Sequence, residues 1–137
     1  MTNHFSTISS AILTKLQALT KLKYVYAYEK GQIEGYPAVT VYNSEYSAEW
    51  ADTANDLDTY VFTMHIYQEM DLKAPDLAET IVNDALVELF QAFQADYTLG
   101  GKVDMMSIKA SKGWTSREAV NRVAVVYLTL KKLNSIV

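Results

Sequence analysis

The apolar positions of this chain change period several times, and each change predicts an element. From Ser6 to Leu22 the residues Ile8, Ile12, Leu13, Leu16 and Leu19 recur at the helical period, so an amphipathic helix is expected there. Lys23–Glu29 reads as a short strand closed by Gly31. Gly35 and Pro37 then punctuate the way into a second strand, Ala38–Tyr42. Thr59–Gln68 alternates: Tyr60, Phe62, Met64 and Ile66 fall on one side and Val61, Thr63, His65 and Tyr67 on the other. Large residues on both sides predict a central strand covered on two faces. A second helix begins at Pro75, a favoured first-turn residue, with Asp76 and Glu79 suited to the positive end of its dipole. Its stripe runs through Leu77, Ile81, Val82, Ala85, Leu86, Leu89, Phe90 and Phe93, and Gly100-Gly101 closes the segment. Two long strands, Lys102–Gly113 and Ala119–Leu133, complete the chain, joined by Trp114–Glu118.

The expected order is therefore α-β-β-β-α-β-β. It predicts a single α+β domain over 1–137, with two helices packed on a mostly antiparallel sheet of about five strands. Between the second and third strands, Asn43–Asp58 carries Glu45, Glu49, Asp52, Asp56 and Asp58 and no cation. It reads as a long, solvated acidic connection with Tyr46 and Trp50 exposed on it.

Charge sharpens this picture. Residues 1–99 hold fourteen carboxylates against five lysines, whereas residues 100–137 hold seven cations against two carboxylates. A subunit acidic in one region and basic in another attracts a copy of itself head to tail, and such patches steer encounter and fix register. The overall net charge of −4 argues against a tightly gripped nucleic acid. With no cysteine there is no disulfide framework, thiol nucleophile or zinc–thiolate site. No apolar run reaches the length of a membrane helix, and Met1-Thr2-Asn3-His4 lacks the pattern of a secretory signal. A protein made in a cytoplasm is expected. Ten tyrosines and two tryptophans suit either β-strands or surfaces that become dry on assembly.

Tests for chemistry return little. His4 lies near the terminus and His65 sits in a strand with no carboxylate among its same-face neighbours. Glu45, Glu49, Asp52 and Asp56 lack calcium-loop spacing and read as a self-repelling surface. The glycines match neither phosphate-binding fingerprint, and the serines lack a nucleophile elbow. No catalysis, cofactor or metal is expected. The basic hairpin, with Lys109, Lys112, Trp114, Arg117 and Arg122, suits nucleic acid, a solubilising tip, or the acidic segment of an adjacent copy. The last is preferred because the chain supplies its own complement. Glu45, Glu49, Trp50, Asp52 and Asp56 are then the candidates for the opposing contact surface.

The succession of a leading helix, Gly35-Tyr36-Pro37-Ala38-Val39-Thr40-Val41 and Tyr60-Val61-Phe62-Thr63-Met64-His65-Ile66-Tyr67 carries a likeness. So does the long amphipathic helix followed by a hairpin ending Asn121-Arg122-Val123-Ala124-Val125-Val126-Tyr127-Leu128. Over nearly its whole length the chain resembles the tail terminator (tail completion) proteins of long-tailed bacteriophages, with related neck and head–tail joining proteins. The resemblance implies a ring, commonly a hexamer, that caps the tail tube, stops its polymerisation and meets the head connector protein. Expected partners are the chain itself, the tail tube protein and the connector, in a virion assembled in the host cytoplasm. The genome passes through without specific binding, and no membrane is involved. Asn43–Asp58 either lines the lumen or contacts the tube. A head-completion or stopper protein of the neck, or a small non-viral α+β ligand-binding module, are the alternatives.

Overall fold

Alternation along the long strands decides where the core forms. The computed structural model describes residues 4–28, 33–71, 73–116 and 120–135. Helices α1 (Phe5–Gln17) and α2 (Pro75–Ala95) accompany strands β1 (Tyr24–Tyr26), β2 (Ala38–Trp50), β3 (Asn55–Glu69), β4 (Met105–Ser116) and β5 (Val120–Ser135). The fold is α+β in the order α-β-β-β-α-β-β, as the periodicities predict. The strands form one sheet ordered β1-β2-β3-β5-β4, in which only β1 and β2 run parallel.

Tyr60, Phe62, Met64 and Ile66 of β3 and Ala124, Val126, Leu128 and Leu130 of β5 are buried on one face. Ile8, Ile12 and Leu16 of α1, with Val82, Ala85, Leu89 and Phe93 of α2, close over them, so both helices lie on the same side. Each large side chain so buried contributes roughly 1.5–3 kcal/mol before the entropy of ordering it. The opposite face carries a smaller cluster, Ile33, Ala38, Tyr67 and Val123, flanked by Tyr26, Tyr36 and Val125. The central position expected for β3 is found, but among the described residues its second face meets this local patch rather than another layer.

Several boundaries differ from expectation for identifiable reasons. The first helix stops at Gln17, short of Leu22, and its chain exit is held by α2. The Glu88 carboxylate accepts from the Thr20 hydroxyl at 2.6 Å and from the Lys21 backbone N–H at 2.9 Å. After α2, Gly100 and Gly101 take left-handed φ values of 68° and 86°, as the glycine pair implies. β4 begins at Met105, later than the pattern predicts, and runs on to Ser116, so Trp114 belongs to the strand rather than to the turn. Gly31 and Arg117 lie outside the described residues.

The largest correction concerns Asn43–Asp58, which is no loop. β2 continues to Trp50, four residues turn, and β3 has already begun at Asn55. The two strands pair from Ala38↔Tyr67 out to Trp50↔Asp56, interrupted by a bulge between Asn43 and Glu45. Asn43 Nδ2–H and the Ser44 hydroxyl both donate to the Val61 carbonyl at 3.1 Å and hold that bulge. The outer part of β3 is anchored on its other side by β5, from Asn55↔Ser135 to Thr59↔Lys131.

Candidate functional site: two sheet edges of opposite charge

Strand order places Glu45, Glu49 and Trp50 on one flank of the sheet and Lys109, Lys112 and Trp114 on the other, whereas Asp56 on β3 and Arg122 on β5 lie between them. β1 covers β2 only at Ala38, Val39 and Thr40. From Glu45 to Trp50 every residue is exposed, and among the described residues this outer edge pairs with no other strand. At the far flank, among the described residues, β4 pairs with β5 alone and its other edge is open.

Register fixes which way each side chain faces. Tyr46 lies opposite Tyr60, with ring centroids 5.1 Å apart, and Phe5 of α1 sits 4.9 Å from Tyr46. Tyr46, Ala48 and Trp50 therefore belong to the helix-bearing side, whereas Glu45, Ser47 and Glu49 project from the other. On β4, Met106 and Ile108 pack against the helix-side core and Lys112 reaches α2. Lys109 lies on the opposite side, its Nζ 5.6 Å from the centre of the Tyr127 ring.

The ten candidates thus divide. Glu45, Glu49 and Trp50 form one strip on the β2 edge, and Trp50 is 75% exposed. Asp52 shapes the turn: its Oδ1 accepts from the backbone N–H of Ala54 at 2.8 Å and of Asn55 at 2.9 Å. Those bonds, the Ala54 one foremost, hold its carboxyl below the ordinary range. Asp56 is buried on β3 and is no part of the exposed strip. Among the cations, Lys112 and Arg122 are bound within the chain. Glu79 of α2 accepts from Arg122 Nε at 2.5 Å and from Lys112 Nζ at 3.2 Å. These bonds, Arg122's being the stronger, lower the Glu79 pKa. The Arg122 guanidinium lies 5.0 Å from the Trp114 ring and donates to the Gly113 carbonyl. Lys109 is the described cation of the set that stands exposed without such a clamp.

A buried polar cluster behind the β2 strip has no counterpart among the sequence candidates. The fully buried Asp58 carboxylate accepts from Asn134 Nδ2–H, while Asn134 Oδ1 lies 2.8 Å from His4 Nε2. This links the start of α1 to the ends of β3 and β5. Burial, reinforced by the Asp58 charge, pushes the Tyr60 pKa up to about 12. No local spacing signals this cluster, because Asp58 and Asn134 are 76 residues apart.

Other concavities are open. One of about 760 Å³ lies between α1 and the turn after α2, where Lys15 and Asp96 pair at 3.2 Å. Among the described residues no group of three or more histidines or carboxylates is arranged to hold a metal ion. No described helix is long and apolar enough to cross a membrane. In comparisons with known proteins, the chain matches no family model and no curated protein sequence.

Proposed function

We propose that this protein is a non-enzymatic structural component of a long-tailed bacteriophage virion. Copies close into a ring, most simply a hexamer, that caps the tail tube, ends its polymerisation and forms the joint to the head connector. The observation that supports this most directly is the pair of open sheet edges with unlike charge on opposite flanks of one subunit. A contact between unlike surfaces is heterologous, and such contacts make closed rings when the rotation permits. The chain works by shape and charge, without cofactor. Its partners are further copies, the tail tube protein and the connector, and the genome passes through without being gripped. Its place is the neck of the particle, reached after assembly in the host cytoplasm.

The test is to incubate purified protein with tail tubes and with connector-bearing heads and to image both by electron microscopy. Rings seated on tube ends, with tubes that no longer elongate, are expected. Rings found only on heads would make it a stopper protein. Absence from both, at concentrations where the chain is folded, refutes the reading.

A further inference from the structure

We infer that neighbouring copies join by main-chain pairing, the outer edge of β2 adding to the open edge of β4 of a second copy. This deepens the ring reading and rests on it for the claim that copies self-associate. Successive neighbours β2, β3, β5 and β4 are antiparallel, so β2 and β4 run in opposite directions. Two copies set side by side in the same orientation therefore present β2 to β4 as an antiparallel pair, the sturdier kind of ladder.

Side chains favour this match and oppose its competitors. With helices on the same side in both copies, odd-numbered residues of the β2 strip must meet odd-numbered residues of β4, because each set projects from the helix-free face. Of these registers the one with Lys109 opposite Ser47 sets it diagonal to both Glu45 and Glu49, and this is the pairing inferred. In that register the even set places Trp50 opposite Met106 and Ala48 opposite Ile108, which gives an apolar strip on the other face. Pairing β2 with β2 would bring Glu45 and Glu49 against their own copies, and pairing β4 with β4 would do the same with Lys109. Repulsion at both like edges leaves the unlike pairing. Charged residues on an edge strand ordinarily discourage edge-to-edge association. Here the signs are divided, so the same residues discourage two pairings and permit the third.

Since the chain has no cysteine, introduced ones report the contact cleanly. In the S47C/K109C double variant, which removes the cation but adds no repulsion and keeps the main-chain ladder, mild oxidation of concentrated protein, alone or on tail tubes, is expected to give a ladder of covalent oligomers. In S47C/K112C, where the two thiols sit on opposite faces, no ladder is expected. Lys109→Glu should weaken association roughly tenfold or more at low salt, and adding Glu45→Lys and Glu49→Lys to the same chain should restore it. Circular dichroism checks that each variant is folded. Rings seen by microscopy without a same-face ladder overturn the edge pairing and leave the ring standing. A ladder in S47C/K112C equal to that in S47C/K109C overturns it too. A chain that stays monomeric alone and on tubes overturns both.

Discussion

Tyr60 offers a sharp test of the buried cluster at the outer end of the sheet. Its hydroxyl lies in the interior beside the Asp58 carboxylate, and its pKa rises from 10.0 to about 12. An acid whose pKa is higher in the folded state stabilises the fold fully below its unfolded value. That stabilisation is lost as pH climbs from 10.0 toward about 12, because the unfolded chain ionises first. Each pKa unit corresponds to about 1.4 kcal/mol, so the loss across this window is on the order of 2 kcal/mol. For a domain of this size that is roughly 8 °C in Tm. Tyr60→Phe lacks the titration but leaves the Asp58 carboxylate with a poorer hydrogen-bonding environment, costing about 1–2 kcal/mol near neutral pH. The assay is urea unfolding of both proteins through the alkaline range, with tyrosinate absorbance recorded in parallel. The wild-type protein starts the more stable, and the gap between the two should narrow steadily above pH 10.0. A gap that stays constant, or a Tyr60 that ionises together with the exposed tyrosines, would refute the reasoning.

Two further outcomes bear on the helix clamp and the exposed strip. Glu79→Gln should flatten the acid side of the Tm–pH curve. The lowered Glu79 pKa supplies stability above 4.5, and that stability disappears as pH falls through the folded value. Trp50→Ala removes a side chain that is 75% exposed, so its unfolding free energy should change by less than about 0.5 kcal/mol. Association of that variant, followed by sedimentation across a concentration series, should nevertheless weaken.

Much of the fold was legible because strong periodicity is a local property. The stripe of α2 and the alternation of β3 each rest on residues a few positions apart, and both elements appear where the pattern puts them. The strand character of Asn43–Asp58 is hidden in the sequence because its alternation changes phase. Val39 and Val41 face the helices at odd numbers, whereas Tyr46, Ala48 and Trp50 do so at even numbers, since the bulge at Ser44 inserts one residue. Five carboxylates in the same stretch reinforced the appearance of a loop. The division of charge was visible in the sequence, but strand order is needed to set Glu45 and Glu49 on one flank and Lys109 on the other, while Glu79 of the acidic half lies against Lys112 and Arg122 of the basic half. The clamping of Lys112 and Arg122 by Glu79 joins residues 33 and 43 positions apart, which no spacing rule reaches.

The shortest strand carries a consequence out of proportion to its length. β1 ends at Tyr26, opposite Thr40, and among the described residues no strand pairs with the outer edge of β2 beyond it. Any strand laid along that stretch abuts the end of β1 and cannot slide further toward the base of the sheet. Backbone pairing by itself tolerates slippage in steps of two residues. A three-residue stop at one end turns a sliding contact into a measured one, so lengthening or deleting β1 would alter where a newcomer comes to rest while leaving its adhesion intact.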